Sequence, residues 1–265
     1  MASQIPPLLE PYLSLPPETS QIVLTGILGA STNWLALRYL YSLLRPSTAA
    51  APRHDGDGDA GAAGGDVKVL LGLNLDTLAA RGRFLFVDGL SRLFLGSGDG
   101  PASPSAGRGP GHQQQQHLYL DSPRLTDVAK VLGAAAERLQ AAGSKVVLIL
   151  DQPDVCLAAA SPGDGVTDAK QKVHATVLTS SADEPLVSAQ TTTLEKEHAA
   201  FVLSLAHEAE AVISLRLLDT GTAKDVSGVV RITAGGGNLG RVIEEHEYLY
   251  HVGGDGVVKV FERGQ

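Results

Sequence analysis

The chain has 265 residues, 43% of them hydrophobic, with a formal charge of −8 at pH 7 and a pI near 5.4. That length can bury roughly three-quarters of the unfolded surface in one core, which predicts a single α/β domain over 1–265, and the acidic balance excludes unaided grip on a phosphate backbone, which takes a basic patch. Cys156, the one cysteine, excludes an internal disulfide; with Arg38 as the first basic residue and no run near the about 20 apolar residues of a membrane span, the expectation is a cytosolic or nuclear protein without a membrane partner.

Residues 1–20 hold five prolines and no hydrophobic period, which predicts an extended arm whose Leu8, Leu9, Tyr12 and Leu13 pack locally. A buried strand is expected over 21–25, followed by a helix over 32–44 with Trp34, Leu37, Tyr41 and Leu44 on one face and Pro46 as its stop. Segments 47–66 and 96–117 are rich in Gly, Ala, Asp, Ser, Pro and Gln without period, and read as disordered surface insertions. Between them, 68–71 and 84–88 read as short strands that fit a parallel sheet.

Ser122 is placed to cap a helix with Pro123 at its first position, an apolar stripe of Leu125, Val128, Leu132, Ala135 and Leu139, and Gly143 as its stop. The strand KVVLILD at 145–151 delivers Asp151 to its C-terminal edge, as nucleotide-hydrolysing α/β proteins do to hold Mg²⁺. A strand over 173–180 precedes a helix that opens at Thr192, with Glu195 three residues on at capping-box spacing. The tail runs 211–218, 228–233, 245–251 and 257–262 are β-rich and joined by Gly-rich turns, so they read as antiparallel strands. The predicted fold is α/β, a mainly parallel central sheet flanked by helices and extended by C-terminal antiparallel strands.

The turn after the first strand runs Gly26, Ile27, Leu28, Gly29, Ala30, Ser31, Thr32, where a phosphate loop would carry a Lys against the β/γ-phosphates. It has none. Ser31 and Thr32 read as helix caps, and Asp151 as the cap of a turn, so no catalytic, cofactor-binding or metal-ligating residue is assigned and no cofactor is expected. The run from Gly235 to Gly240 matches G-x-G-x-x-G but lies between two strands, and reads as a hairpin turn. Asp55 to Asp66 imitates a calcium loop without its Gly at six or its Glu at twelve. His198, His207, His246 and His251 lack zinc-ligand spacing and read as surface or packing residues. The segment from Thr220 to Gly228 is either a solvated hairpin or a rigid turn that projects Lys224 and Asp225 into a neighbouring subunit.

Three segments together, VVLILDQPDVCL at 146–157, LLDTGTAKDVSGVVRITAGGG at 217–237 and VIEEHEYLYHV at 242–252, resemble the Elongator complex protein 6 family. IVLTGILGASTNWLALRYL at 22–40 resembles it less distinctively. The positions that carry the likeness include Asp151, Gln152 and Pro153 in the LDQPD turn, Lys224 and Asp225 in the TAKDVSG hairpin, and Glu247 and Tyr248 in the EHEYLY strand. The resemblance implies a RecA-like fold without nucleotide motifs, in a non-catalytic subunit. Its implied partners are Elongator complex proteins 4 and 5 in a heterohexameric ring that docks on the catalytic Elongator subunits and binds tRNA during wobble-uridine modification. Two alternatives stay open: an active NTPase using Ser31, Thr32 and Asp151 through an atypical phosphate loop, and a RecA-like accessory protein of DNA recombination.

Overall fold

The computed structural model describes residues 5–45, 69–70, 73–95, 118–140, 145–155, 173–188, 190–219, 221, 223–237 and 242–263. The expected insertions 47–66 and 96–117, the calcium-like run within the first of them, Gly143 and Cys156 lie outside these residues. In chain order the elements are a 3-10 turn Pro7–Leu9, then β1 (Gln21–Gly26), α1 (Asn33–Leu44), β2 (Val69–Leu70), β3 (Leu73–Asn74), α2 (Leu75–Ala80), β4 (Val87–Asp88), α3 (Ser91–Leu95), β5 (Leu118–Tyr119) and α4 (Leu125–Gln140). After them come β6 (Val147–Leu150), β7 (Ala175–Ser181), α5 (Glu184–Val187), α6 (Thr193–Glu208), β8 (Ala211–Arg216), β9 (Gly228–Ala234), β10 (His246–Val252) and β11 (Val258–Phe261).

Seven strands form one sheet in the order β11-β10-β9-β8-β1-β7-β6. Strands β6, β7, β1 and β8 run parallel, while β9, β10 and β11 add antiparallel to β8. This is the mainly parallel sheet with an antiparallel extension that the sequence predicts, with one correction: β8, the first of the four tail runs, belongs to the parallel core, with Ile22 opposite Ala211. The helix α6 precedes it and returns the chain to the starting edge, which makes the next strand parallel.

Side-chain alternation sends the two faces of the sheet into two apolar layers. Ile22, Leu24, Val177, Ile213, Leu215, Val230 and Ile232 share one cluster with Leu35 and Tyr39 of α1, and Val23 and Leu178 share the other with Leu205 and Ala209 at the end of α6. The arm also enters the first cluster. Ile5, Leu9 and Leu13 are buried there, so the expectation of purely local packing fails: three apolar side chains spaced four apart lie over the sheet face beside α1. The buried face of α1 differs in part: Leu44 is buried and Trp34 and Tyr41 pack against the first cluster as expected. Leu35 and Tyr39 are fully buried while Leu37 is 43% exposed, because α1 is apolar on several sides and more than one stripe satisfies the helical period.

The expected strands at 68–71 and 84–88 do not join the central sheet. β2 pairs with β3 and β4 pairs with β5 in separate two-stranded sheets. Local caps end β3 and β4. Asn74 accepts the Thr77 amide at 2.9 Å and turns the chain into α2, and Asp88 accepts the amides of Leu90 and Ser91, each at 2.9 Å, at the end of β4. The expected capping box is present: Thr192 Oγ1 accepts the Glu195 amide at 3.2 Å, and Glu195 Oε2 accepts the Thr192 amide at 2.8 Å. The Gly-rich connection between β9 and β10 seals the other end of α6. The amides of Gly236 and Gly237 donate to the carbonyls of Ala206 and Ala209, and a Cβ on Gly235 would sit 2.0 Å from the Ala209 oxygen.

Candidate functional site

The C-terminal edge of the parallel strands is where α/β proteins of this architecture hold ligands, and β1 leads into it. Its turn is tight. The Ala30 amide donates to the Ile27 carbonyl at 2.8 Å, Gly29 takes φ +88°, and a Cβ on Gly26 would lie 2.7 Å from the Ala30 oxygen. The Leu28 amide donates to Asp183 Oδ1 at 2.8 Å, and the Ala182 amide donates to the Gly26 carbonyl at 2.8 Å. Two amides of a loop that would face a phosphate are therefore engaged by the protein itself, one of them by a carboxylate. Ser31 Oγ accepts the Asn33 amide at 3.2 Å; Thr32, buried at the N-cap position, makes no side-chain cap, so capping falls to Ser31 one residue earlier.

Asp151 leaves β6 at the same edge and is exposed. Its Oδ1 accepts the Thr179 hydroxyl at 2.7 Å, and that hydroxyl accepts the Gln152 amide at 2.8 Å, which ties the ends of β6 and β7 together. Gln152 turns the chain with φ +50° ahead of Pro153. One residue further, Asp154 Oδ2 accepts the Ser181 amide at 3.2 Å, and the imidazole Nε2–H of His198 donates to the Ser181 carbonyl at 3.1 Å. His198 is thus the packing residue the sequence suggests, but deeply buried. Among the described residues no group of three His, Cys, Asp or Glu could hold a metal ion, and no helix is long and apolar enough to cross a membrane.

The hairpin that joins β8 to β9 rises from the same edge. Ala223 and Val226 form an antiparallel bridge that leaves Lys224 and Asp225 exposed at the tip. Its base is fixed: the Ser227 amide donates to the Tyr250 carbonyl at 2.8 Å, Ser227 Oγ accepts the Val252 amide at 2.9 Å, and a Cβ on Gly228 would lie 2.4 Å from the Arg216 oxygen. Because β1 and β8 are parallel neighbours, the two connections meet; a Cβ on Gly29 would touch Leu217 at 3.3 Å. Leu28 is 86% exposed and Leu217 is 42% exposed. Sequence reasoning missed this apolar pair, although a leucine at the tip of a tight turn is a readable signal.

Of the remaining resemblance positions, Glu247 bridges two guanidinium groups, Arg216 Nη2 at 3.3 Å and Arg263 Nη2 at 2.6 Å. Tyr248 is buried, which pushes its phenol up, and the ring of His246 stacks on it with centroids 5.1 Å apart. The structure brings Lys224 and Asp225 to the edge that carries the β1 turn and Asp151, and leaves Glu247 and Tyr248 within the antiparallel strands.

The model of the family described as Elongation complex protein 6 matches residues 66–252, more than half of the chain. Among solved structures, a KaiC-like protein from the hyperthermophilic archaeon Pyrococcus horikoshii OT3 is similar at 13% sequence identity, with a TM-score of 0.49 over 98% of this chain and 98% of that chain. No curated protein matches the sequence.

Proposed function

Since the chain belongs to the Elongation complex protein 6 family, we propose that it is a non-catalytic structural subunit of the Elongator complex, forming with Elongator proteins 4 and 5 a RecA-like heterohexameric ring that supports tRNA binding and wobble-uridine modification. The observation that carries the non-hydrolytic part is the Asp183 carboxylate on the Leu28 amide. A triphosphate at that turn would face a fixed negative charge, and two unit charges about 4 Å apart repel by roughly 1 kcal/mol in water and roughly 4 kcal/mol near a protein surface. No lysine follows the turn to offset this. Asp151 is engaged by Thr179 and Ser31 by Asn33, which weakens the reading of these residues as a working NTPase site.

The assembly part is supported by the exposed Leu28 and Leu217 beside an anchored hairpin that projects Lys224 and Asp225. Apolar side chains ringed by polar ones, on a rigid sheet edge, form a contact platform for a sister subunit. The net charge of −8 favours building the ring over gripping RNA, and the working compartment is the cytosol, with the nucleus as a second location.

Co-expression with Elongator proteins 4 and 5 followed by native mass measurement tests the reading. The expected result is a six-membered ring that contains this chain; its failure to co-purify overturns the assignment. K224E with D225K is expected to weaken ring formation while leaving the circular dichroism of the isolated chain unchanged, and unaltered assembly would remove the hairpin from the interface. Calorimetry of the purified chain with Mg-ATP is expected to show no stoichiometric binding; micromolar capture with turnover would restore the NTPase alternative.

A further inference from the structure

The outer face of the antiparallel strands is the less covered of the two. Register places Arg231, Glu247, Leu249, His251, Lys259 and Phe261 on that face, opposite the side that buries Val230, Ile232, Tyr248 and Tyr250. Leu249 and Phe261 stand directly across from one another, half-buried, and neither belongs to either apolar cluster. Glu247 is shared between Arg216 and Arg263 and also lies across from Arg231; among the described residues neither Arg231 nor Lys259 forms an ion pair. On a chain of net charge −8, this face sets four cationic side chains, Arg216, Arg231, Lys259 and Arg263, around Glu247, with Asp219 pairing Arg216 at one margin and Glu245 accepting the Ala234 amide at another. Glu244 pairs with His246 on the opposite face, and strand alternation sets Glu262 there with Val260.

An apolar cross-strand pair inside a charged rim has the anatomy of a protein contact, and a positive rim on an acidic molecule selects a negative partner through attraction and rejects a positive one. We infer that this face binds an acidic segment of another protein subunit, one that lays apolar side chains over Leu249 and Phe261 and carboxylates against Arg231 and Lys259. Nucleic acid fits less well. A phosphate backbone would leave the Leu249 and Phe261 pair uncovered and would meet Glu247 at the centre. The inference rests on the reading above that the chain works inside a multi-protein assembly, and it concerns a surface apart from the Lys224 hairpin tip.

The test is photo-crosslinking in the reconstituted complex, with tRNA present and Phe261 replaced by p-benzoylphenylalanine. Native mass is read first. Absence of the ring removes the assembly reading and this inference with it. In an intact ring, the expected crosslink joins Phe261 to a segment of another subunit in which Asp and Glu outnumber Lys and Arg, and R231E with K259E lowers its yield roughly tenfold without changing the mass of the ring. A crosslink to tRNA, a crosslink to a basic segment, no crosslink, or a yield indifferent to the charge reversal would each overturn it.

Discussion

Glu195 shows how a single side chain can fix a helix start. Its carboxylate accepts first the Thr192 amide, then the Thr191 amide and the Thr191 hydroxyl, and these hold it well below the usual carboxylate range, at about 2. A folded value below the unfolded one means stability that is present above the ordinary carboxylate range and lost as pH falls from 4.5 towards about 2. Urea denaturation at about pH 6 and about pH 3 is expected to show this loss in the wild type, and E195Q to flatten it over that window. T192A is expected to cost about 1 kcal/mol at neutral pH by the same measurement. Asp183 acts over a longer range. D183A is expected to cost about 1 kcal/mol, from the loss of one hydrogen bond to a charged acceptor, and to gain no Mg-ATP binding by calorimetry because the lysine is still missing. The Thr192 cap was legible because its partners are three residues apart; the Asp183 contact was not, because 155 residues separate it from Leu28 and no local pattern marks the pairing.

Elements were legible where one pattern admitted one solution. The strand ending in Asp151 is a short all-apolar run, and α6 carries its own start signal. The face of α1 was legible only in part: Trp34, Tyr41 and Leu44 do turn to the core, but Leu35 and Tyr39 fit a helical period as well as Leu37 does, and only the sheet decides between them. The arm was misread for a related reason: prolines hide any period, yet Leu9 and Leu13 are fully buried. L9A is therefore expected to destabilise the chain by about 3 kcal/mol in chemical denaturation, as a buried leucine does; a locally packed arm would lose far less. G235A is expected to cost about 2 kcal/mol or more, since its Cβ would press on the Ala209 oxygen that Gly237 needs at the end of α6, and the same denaturation series reads it.

At the scale of the molecule, the mainly parallel sheet with an antiparallel extension was legible from alternating strands and helices followed by a β-rich tail, and the strand that joins the two parts was not. β8 pairs parallel with β1 on one side and antiparallel with β9 on the other, a double membership that its own residues do not announce. Hydrogen exchange is expected to find the β8 amides among the slowest, with the edge strands β6 and β11 faster, because an edge ladder has a neighbour on one side only. The pairing has a steric outcome as well: with β1 and β8 side by side, the Gly29 turn lies against Leu217 after β8, so a body seated on either connection also meets the other.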